Sequence, residues 1–195
     1  DENKWMPNRV KKIKYMKGKV LISEPFLADP NFSRSVILIT EHNATGSFGF
    51  VLNQKTNILA NTMVEELHLV TQAVYNGGPV DLQSFHCLHT YDHIQDAVHV
   101  CKNVYWGGNF EQVFQELKQG LMDPKNIKFF IGYSGWGPHQ LDDELTENAW
   151  HVGNLESQDI FDSSIDDQDL WKLAIRNLGG QVSLLANSPV DPNLN

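Results

Sequence analysis

Cysteine is scarce. Cys87 and Cys101 are the only two in 195 residues, so a disulfide-stapled scaffold is excluded and a hydrophobic core must hold the chain. No uninterrupted apolar run approaches the ~18–20 residues that a membrane span requires; a soluble protein with no membrane partner is expected. Lysine and arginine are missing altogether from Phe129 to Trp171, a stretch that carries ten acidic residues. Such a surface repels phosphate backbones, because non-specific nucleic-acid affinity comes chiefly from basic side chains that replace counterions. A P-loop is excluded as well, since Asn76-Gly-Gly-Pro-Val80 is not followed by Gly-Lys-Ser/Thr. The opening residues have neither an initiator Met nor an apolar segment flanked by a cleavage site, so they read as neither a signal peptide nor a complete native start. A reducing cytoplasm is the expected compartment.

What is present is enough for one well-filled domain. At ~100–200 residues per domain the length fits a single unit with its own core, and an apolar fraction of 41% is globular. The formal charge of −9 hides an uneven distribution. Residues 1–19 hold seven bases against two acids, whereas residues 20–195 hold eight bases against twenty-two acids. The division expected is a basic N-terminal arm over residues 1–17 and one domain over 18–195, whose proline-rich end, from Asn187, lies over the surface or frays.

Patterning places the elements. Lys19–Ile22, Ser35–Glu41 and Phe48–Asn53 are rich in β-branched and apolar residues, and the last two form a hairpin across His42-Asn-Ala-Thr-Gly-Ser47. Val74–Tyr75, Ser84–His89, Ala97–Val100, Asn103–Trp106 and Lys128–Tyr133 read as further strands, the last one central. Thr62 and Glu65 match a capping box before a short helix. Asn109 caps a second helix with Phe110, Val113, Phe114, Leu117 and Leu121 on one face and Gly120 as its stop. Gln140–Glu147 is a short acidic helix, and Asp167–Leu178 is the last, closed by Gly179. Seven or eight strands and three to four helices, without regular alternation, give an α+β class.

Several constellations carry chemistry only in part. Cys87 with His89 and His99 with Cys101 share strand faces, and a Cys2His2 zinc set would need those strands to pair. Gly132-Tyr-Ser-Gly-Trp-Gly137 imitates a nucleophile elbow, but Trp136 stands where the elbow needs glycine; the glycines instead give the backbone an irregular path before the acidic helix. Glu41-His42 offers acid–base partners, although such residues at strand ends commonly satisfy backbone groups.

Five motifs in order then resemble a known family. Asp29-Pro-Asn-Phe-Ser-Arg-Ser-Val36, Glu41-His-Asn-Ala-Thr-Gly-Ser-Phe-Gly-Phe-Val-Leu-Asn53, Gly77-Gly-Pro79, Leu88-His89 and Gly132-Tyr-Ser-Gly-Trp-Gly-Pro-His-Gln-Leu-Asp-Asp-Glu-Leu145 with Trp150 are similar to the bacterial YqgE/AlgH family. The resemblance runs from about Gly18 to the last helix. It implies a mixed, bifurcated sheet forming a pseudo-barrel, and a transcriptional regulator with no assigned reaction, cofactor, metal or DNA-recognition element. Two positions depart from the pattern: Ser134 fills an alanine slot and His139 a glycine slot, so Ser134 is no family nucleophile. The candidate ligand- or partner-binding residues are Arg34, Glu41, His42, Asn53, Gly77, Gly78, His89, Trp136, Gln140 and Glu144. The expected role is a non-enzymatic cytoplasmic regulator that binds a protein or small ligand. The alternatives are a DNA-binding factor using the basic arm, and an enzyme using Glu41 and His42.

Overall fold

A computed structural model describes residues 16–191 of the chain. Residues 1–15, most of the basic arm, and residues 192–195 of the tail lie outside the described residues. Ten strands make one branched sheet: β1 (Val20–Ser23), β2 (Val36–Asn43), β3 (Gly46–Val51), β4 (Lys55–Leu59), β5 (Ala73–Asn76), β6 (Val80–His89), β7 (Val98–Cys101), β8 (Val104–Trp106), β9 (Ile127–Trp136) and β10 (Trp150–Gly153). Five α-helices accompany them among the described residues: α1 (Ala60–Met63), α2 (Phe110–Lys118), α3 (Gln140–Thr146), α4 (Ser157–Phe161) and α5 (Asp167–Leu178).

β9 is the junction. Its first half pairs antiparallel with β6, from His89 opposite Ile127 to Phe85 opposite Ile131. Its other edge is shared between β5, parallel at Phe130 and Ile131, and β3, antiparallel at Ser134–Trp136. One strand thus serves two branches. Beyond β3 the order runs β2, β1, β10; beyond β6 it runs β8, β7. The sheet is open, and the branching gives the bifurcated architecture.

The branch point explains the glycines. Gly132 sits at φ +66 in mid-strand, so β9 kinks and continues to Trp136 instead of ending at Tyr133 in a strand-to-helix turn. Gly78 passes at φ +151, and a Cβ there would lie 2.3 Å from the Tyr133 carbonyl, so only glycine fits. The Gly77 carbonyl accepts from Val51 N at 2.9 Å and from Ser134 Oγ at 3.1 Å.

Local chemistry accounts for the helices. Asn109 Oδ1 accepts from Gln112 N at 3.0 Å, and Asp166 Oδ1 from Asp169 N at 2.8 Å, which satisfies first-turn donors of α2 and α5. The capping-box expectation at Thr62 is corrected. Its hydroxyl donates to the Leu59 carbonyl, and Val64 is extended between the one-turn α1 and a 3₁₀ turn at Glu65–Leu67. Breaking the segment there lets Ala60, Leu67 and Val70 all enter one core cluster with Val113 and Phe129. A larger cluster joins Phe50, Phe130, Leu88 and the α5 residues Leu170, Trp171 and Ile175. β4, β10 and α4 have no counterpart in the sequence reading. β4 is exposed at four of its five positions, and α4 has a single turn and a half, so neither shows a strong period.

Candidate functional site

The sequence-derived residues fall in separate places. Arg34 is buried at the mouth of β2 with φ +46. Its guanidinium donates to the carbonyls of Ser188 and Pro189, at 3.0 and 2.5 Å, and stacks 4.7 Å from the Trp171 ring centroid. It is the anchor of the C-terminal segment. Asn53 is the adjacent fastener: its Oδ1 accepts from Val36 N, and its Nδ2 donates to the Arg34 and Asp167 carbonyls. At the far end of β2, ~20 Å away at ~3.3 Å per residue, Glu41 is exposed and accepts from Asn43 Nδ2. His42 Nδ1 instead meets Ser47 Oγ at 2.7 Å. Consecutive strand residues point to opposite faces, so Glu41 and His42 do not converge and Arg34 is not near them.

His89 is fully buried. Its Nδ1 accepts from Tyr91 N at 3.2 Å, which leaves Nε2 to donate to the Gly107 carbonyl at 2.7 Å. Burial lowers its pKa, outweighing the Gly107 bond, so the neutral ring is structural. Cys87, two residues earlier, has its thiol pushed up to about 12 by burial. β8 lies between β6 and β7, which keeps the Cys87/His89 and His99/Cys101 strands from pairing. Among the described residues no cluster of three or more His, Cys, Asp or Glu is arranged to hold a metal ion.

Three of the candidates do meet. Glu144 of α3 accepts on one oxygen from both Trp136 Nε1 (2.9 Å) and Trp150 Nε1 (2.8 Å), and on the other from Gln140 Nε2 (3.1 Å). Gln140 Oε1 in turn accepts from Gly137 N at 3.0 Å. The two indoles come from β9 and β10, so one carboxylate clasps the helix to both strands. Every group in this set has a partner. Nearby, Glu41 and Trp136 share the wall of a shallow hollow of about 170 Å³ with Asn43, Thr45 and Ser47.

The deepest chemistry lies elsewhere. Between β4, β5, the start of β9 and the end of α4 is a cleft of about 340 Å³. Three lysines, Lys55, Lys125 and Lys128, line it, alongside Leu59, Ala73, Tyr75, Ile127 and Phe161, with no acidic side chain among the lining residues. Lys128 is only 8% exposed. Its Nζ donates to the Ile160 carbonyl at 3.2 Å and sits 4.0 Å above the Tyr75 ring. Of three ammonium donors, one has a hydrogen-bonded oxygen. Burial lowers its pKa from 10.5 to about 7; Asp167 opposes that shift and Lys55 adds to it. Burial also raises the Tyr75 hydroxyl, helped by Asp167. A second hollow of about 570 Å³ shares the walls Lys125, Phe161 and Ser163. Sequence reasoning passed over Lys128 as the first residue of an apolar strand. The available signal was a lysine inside the run Ile127–Ile131, in a segment otherwise apolar.

A family model described as AlgH-like matches residues 20–183. A UPF0301 protein of Cytophaga hutchinsonii is 41% identical over 181 residues, covering 92% of this chain and 98% of its own. Another, from Bacteroides thetaiotaomicron, is 36% identical over 180 residues, with 92% and 91% covered. A crystal structure of a Corynebacterium diphtheriae protein superposes with a TM-score of 0.76 at 25% identity, over 92% of this chain and 95% of that one. The solution structure of the Pseudomonas aeruginosa AlgH protein gives 0.70 at 26% identity, over 93% and 98%. With the motifs in order, the branched sheet at β9 and these matches together, the chain belongs to the AlgH-like family.

Proposed function

We propose that this protein is a cytoplasmic regulator that acts by binding, and that its ligand is a small organic anion with an apolar body, seated in the cleft over Lys128. One observation carries the reading. Eight bases serve residues 20–195, and three of them line a single cleft that holds no acid on its walls. Leu59, Ile127 and Phe161 supply apolar contact, and the lysines supply charge for a carboxylate or phosphate head, the combination that small-molecule sites use. Glu41 and His42 lend no support to acid–base turnover, because each engages a different neighbour. Direct DNA binding by the folded domain is disfavoured by its acid excess.

Phenyl phosphate is a suitable probe, with a flat apolar body and a doubly charged head. It is expected to raise the melting temperature in a saturable manner, and the Lys55→Ala/Lys125→Ala double variant is expected to abolish the rise. A shift that persists in the double variant, or no shift at millimolar probe, overturns the assignment. A second reading rests on the hollow that Glu41 shares with Trp136: a protein partner docks there, and Glu41→Lys should then weaken capture of that partner while leaving phenyl phosphate binding intact.

A further inference from the structure

We propose that Lys128 captures the carbonyl group of an aldehyde- or ketone-bearing anion as a reversible imine, with Lys55 and Lys125 holding the anionic head. This rests on the binding reading above and adds a covalent step to it.

The geometry supplies what such capture needs. An amine that forms imines must be desolvated, partly free of proton, and adjacent to space for a carbonyl carbon. Lys128 Nζ has one oxygen partner, the Ile160 carbonyl, and otherwise faces the Tyr75 ring. Its side chain borders the cleft instead of being sealed in the core. Charged groups approach from two sides. Asp167, whose Oδ2 accepts from Lys55 N at 3.0 Å, favours the ammonium form. Lys55, on β4, favours the free amine, as does burial. Burial and Lys55 outweigh Asp167, so the free-amine form is far more accessible near neutrality than it is for an ordinary surface lysine.

The chemistry balances without a further reagent. The Nζ lone pair forms a bond to the carbonyl carbon as the C=O π pair moves to oxygen, which takes a proton to give a carbinolamine. The proton on that oxygen is the first amine proton; the hydroxyl then leaves as water with the second amine proton as the nitrogen lone pair closes C=N, so there is no net change of charge. One water is released per imine formed, and its return reverses the capture. Tyr75 and the Ile160 carbonyl bracket the nitrogen and fix the direction of approach.

Pyridoxal phosphate is the probe, with pyridoxine phosphate as its control, since the control keeps ring and phosphate but has a hydroxymethyl group in place of the aldehyde. The full chain is treated with each at neutral pH, reduced with borohydride, digested and mapped by mass spectrometry. The expected result is a reduced adduct at Lys128 in at least ~10-fold excess over Lys118, an exposed lysine outside the cleft. Lys128→Arg, which keeps the charge but cannot form the imine, and Lys128→Met are both expected to lose the adduct, and circular dichroism checks that each is folded. Labelling of Lys128 no stronger than that of Lys118 overturns the proposal. If pyridoxine phosphate binds in a manner dependent on Lys55 and Lys125 but no adduct forms, the covalent step fails and the anion site stands. If neither compound binds, both fail.

Discussion

The Glu144 clasp and the Lys128 cleft are both built around one charged side chain held against aromatic rings, yet they differ in what they leave open. At the clasp, two indole N–H groups and one amide consume the carboxylate. At the cleft, a buried lysine nitrogen has a single carbonyl partner, and its side chain lines a cleft of about 340 Å³. A closed polar set rigidifies, because each removed partner strands another buried group. An open one can receive a ligand. The residues that stand out most in the sequence, Trp136, Gln140, Glu144, Arg34 and Asn53, belong to the closed kind, and the open site is made of lysines that no motif announces.

The sharpest way to break this contrast is Glu144→Leu. It leaves two buried indole donors without an acceptor and is expected to cost about 3 kcal/mol of unfolding free energy, measured by denaturant titration. Phenyl phosphate binding to the folded fraction should be unaffected. A cost below about 0.5 kcal/mol would show that the clasp is incidental.

Lys128→Met tests the other side. A lysine whose folded pKa lies near 7 binds fewer protons in the native than in the unfolded state between pH 7 and 10.5. The stability of the unaltered protein therefore rises across that interval, and below it the full penalty of charging a buried amine applies. The methionine variant is expected to lose this slope and, near pH 6, to be more stable by on the order of 2 kcal/mol. A slope that survives the substitution would assign it to another group.

Arg34→Ala removes two hydrogen bonds to the Ser188 and Pro189 carbonyls and the stacking on Trp171. The expected cost is about 1–2 kcal/mol, accompanied by faster amide exchange over residues 181–188 and no change in cleft binding. Loss of phenyl phosphate binding here would move the ligand site toward Arg34. The smallest effect is expected from Glu41→Gln, within about 0.5 kcal/mol, because the side chain is exposed and, among the described residues, its hydrogen bond is the one from Asn43 Nδ2.

Much of the architecture was legible along the chain. Asn109 caps the α2 helix as read, although it ends at Lys118 and leaves Leu121, expected on its apolar face, exposed beyond Gly120; Asp167–Leu178 is α5 residue for residue, and the hairpin of β2 and β3 stands where its β-branched runs lie. These features depend on neighbours within a few residues, through caps, turn residues and periods of 2 and 3.6. Less of the site was legible. The motif residues do not converge on one place: Trp136, Gln140 and Glu144 meet at α3, Asn53 bonds the Arg34 carbonyl at the other end of β2, and His89 lies apart from both.

Charge and patterning alone therefore determined an acidic α+β domain, its principal helices and hairpin, and the absence of a disulfide framework. The tertiary structure alone decided that β9 is shared by two branches, that Glu144 lies between indoles from two strands, and that Lys128 is buried beneath Ile160, 32 residues away. Burial and convergence depend on strand register and sheet order, which bring together residues far apart in sequence. An isolated lysine in an apolar strand acquires its altered protonation only when a distant helix closes over it and excludes water.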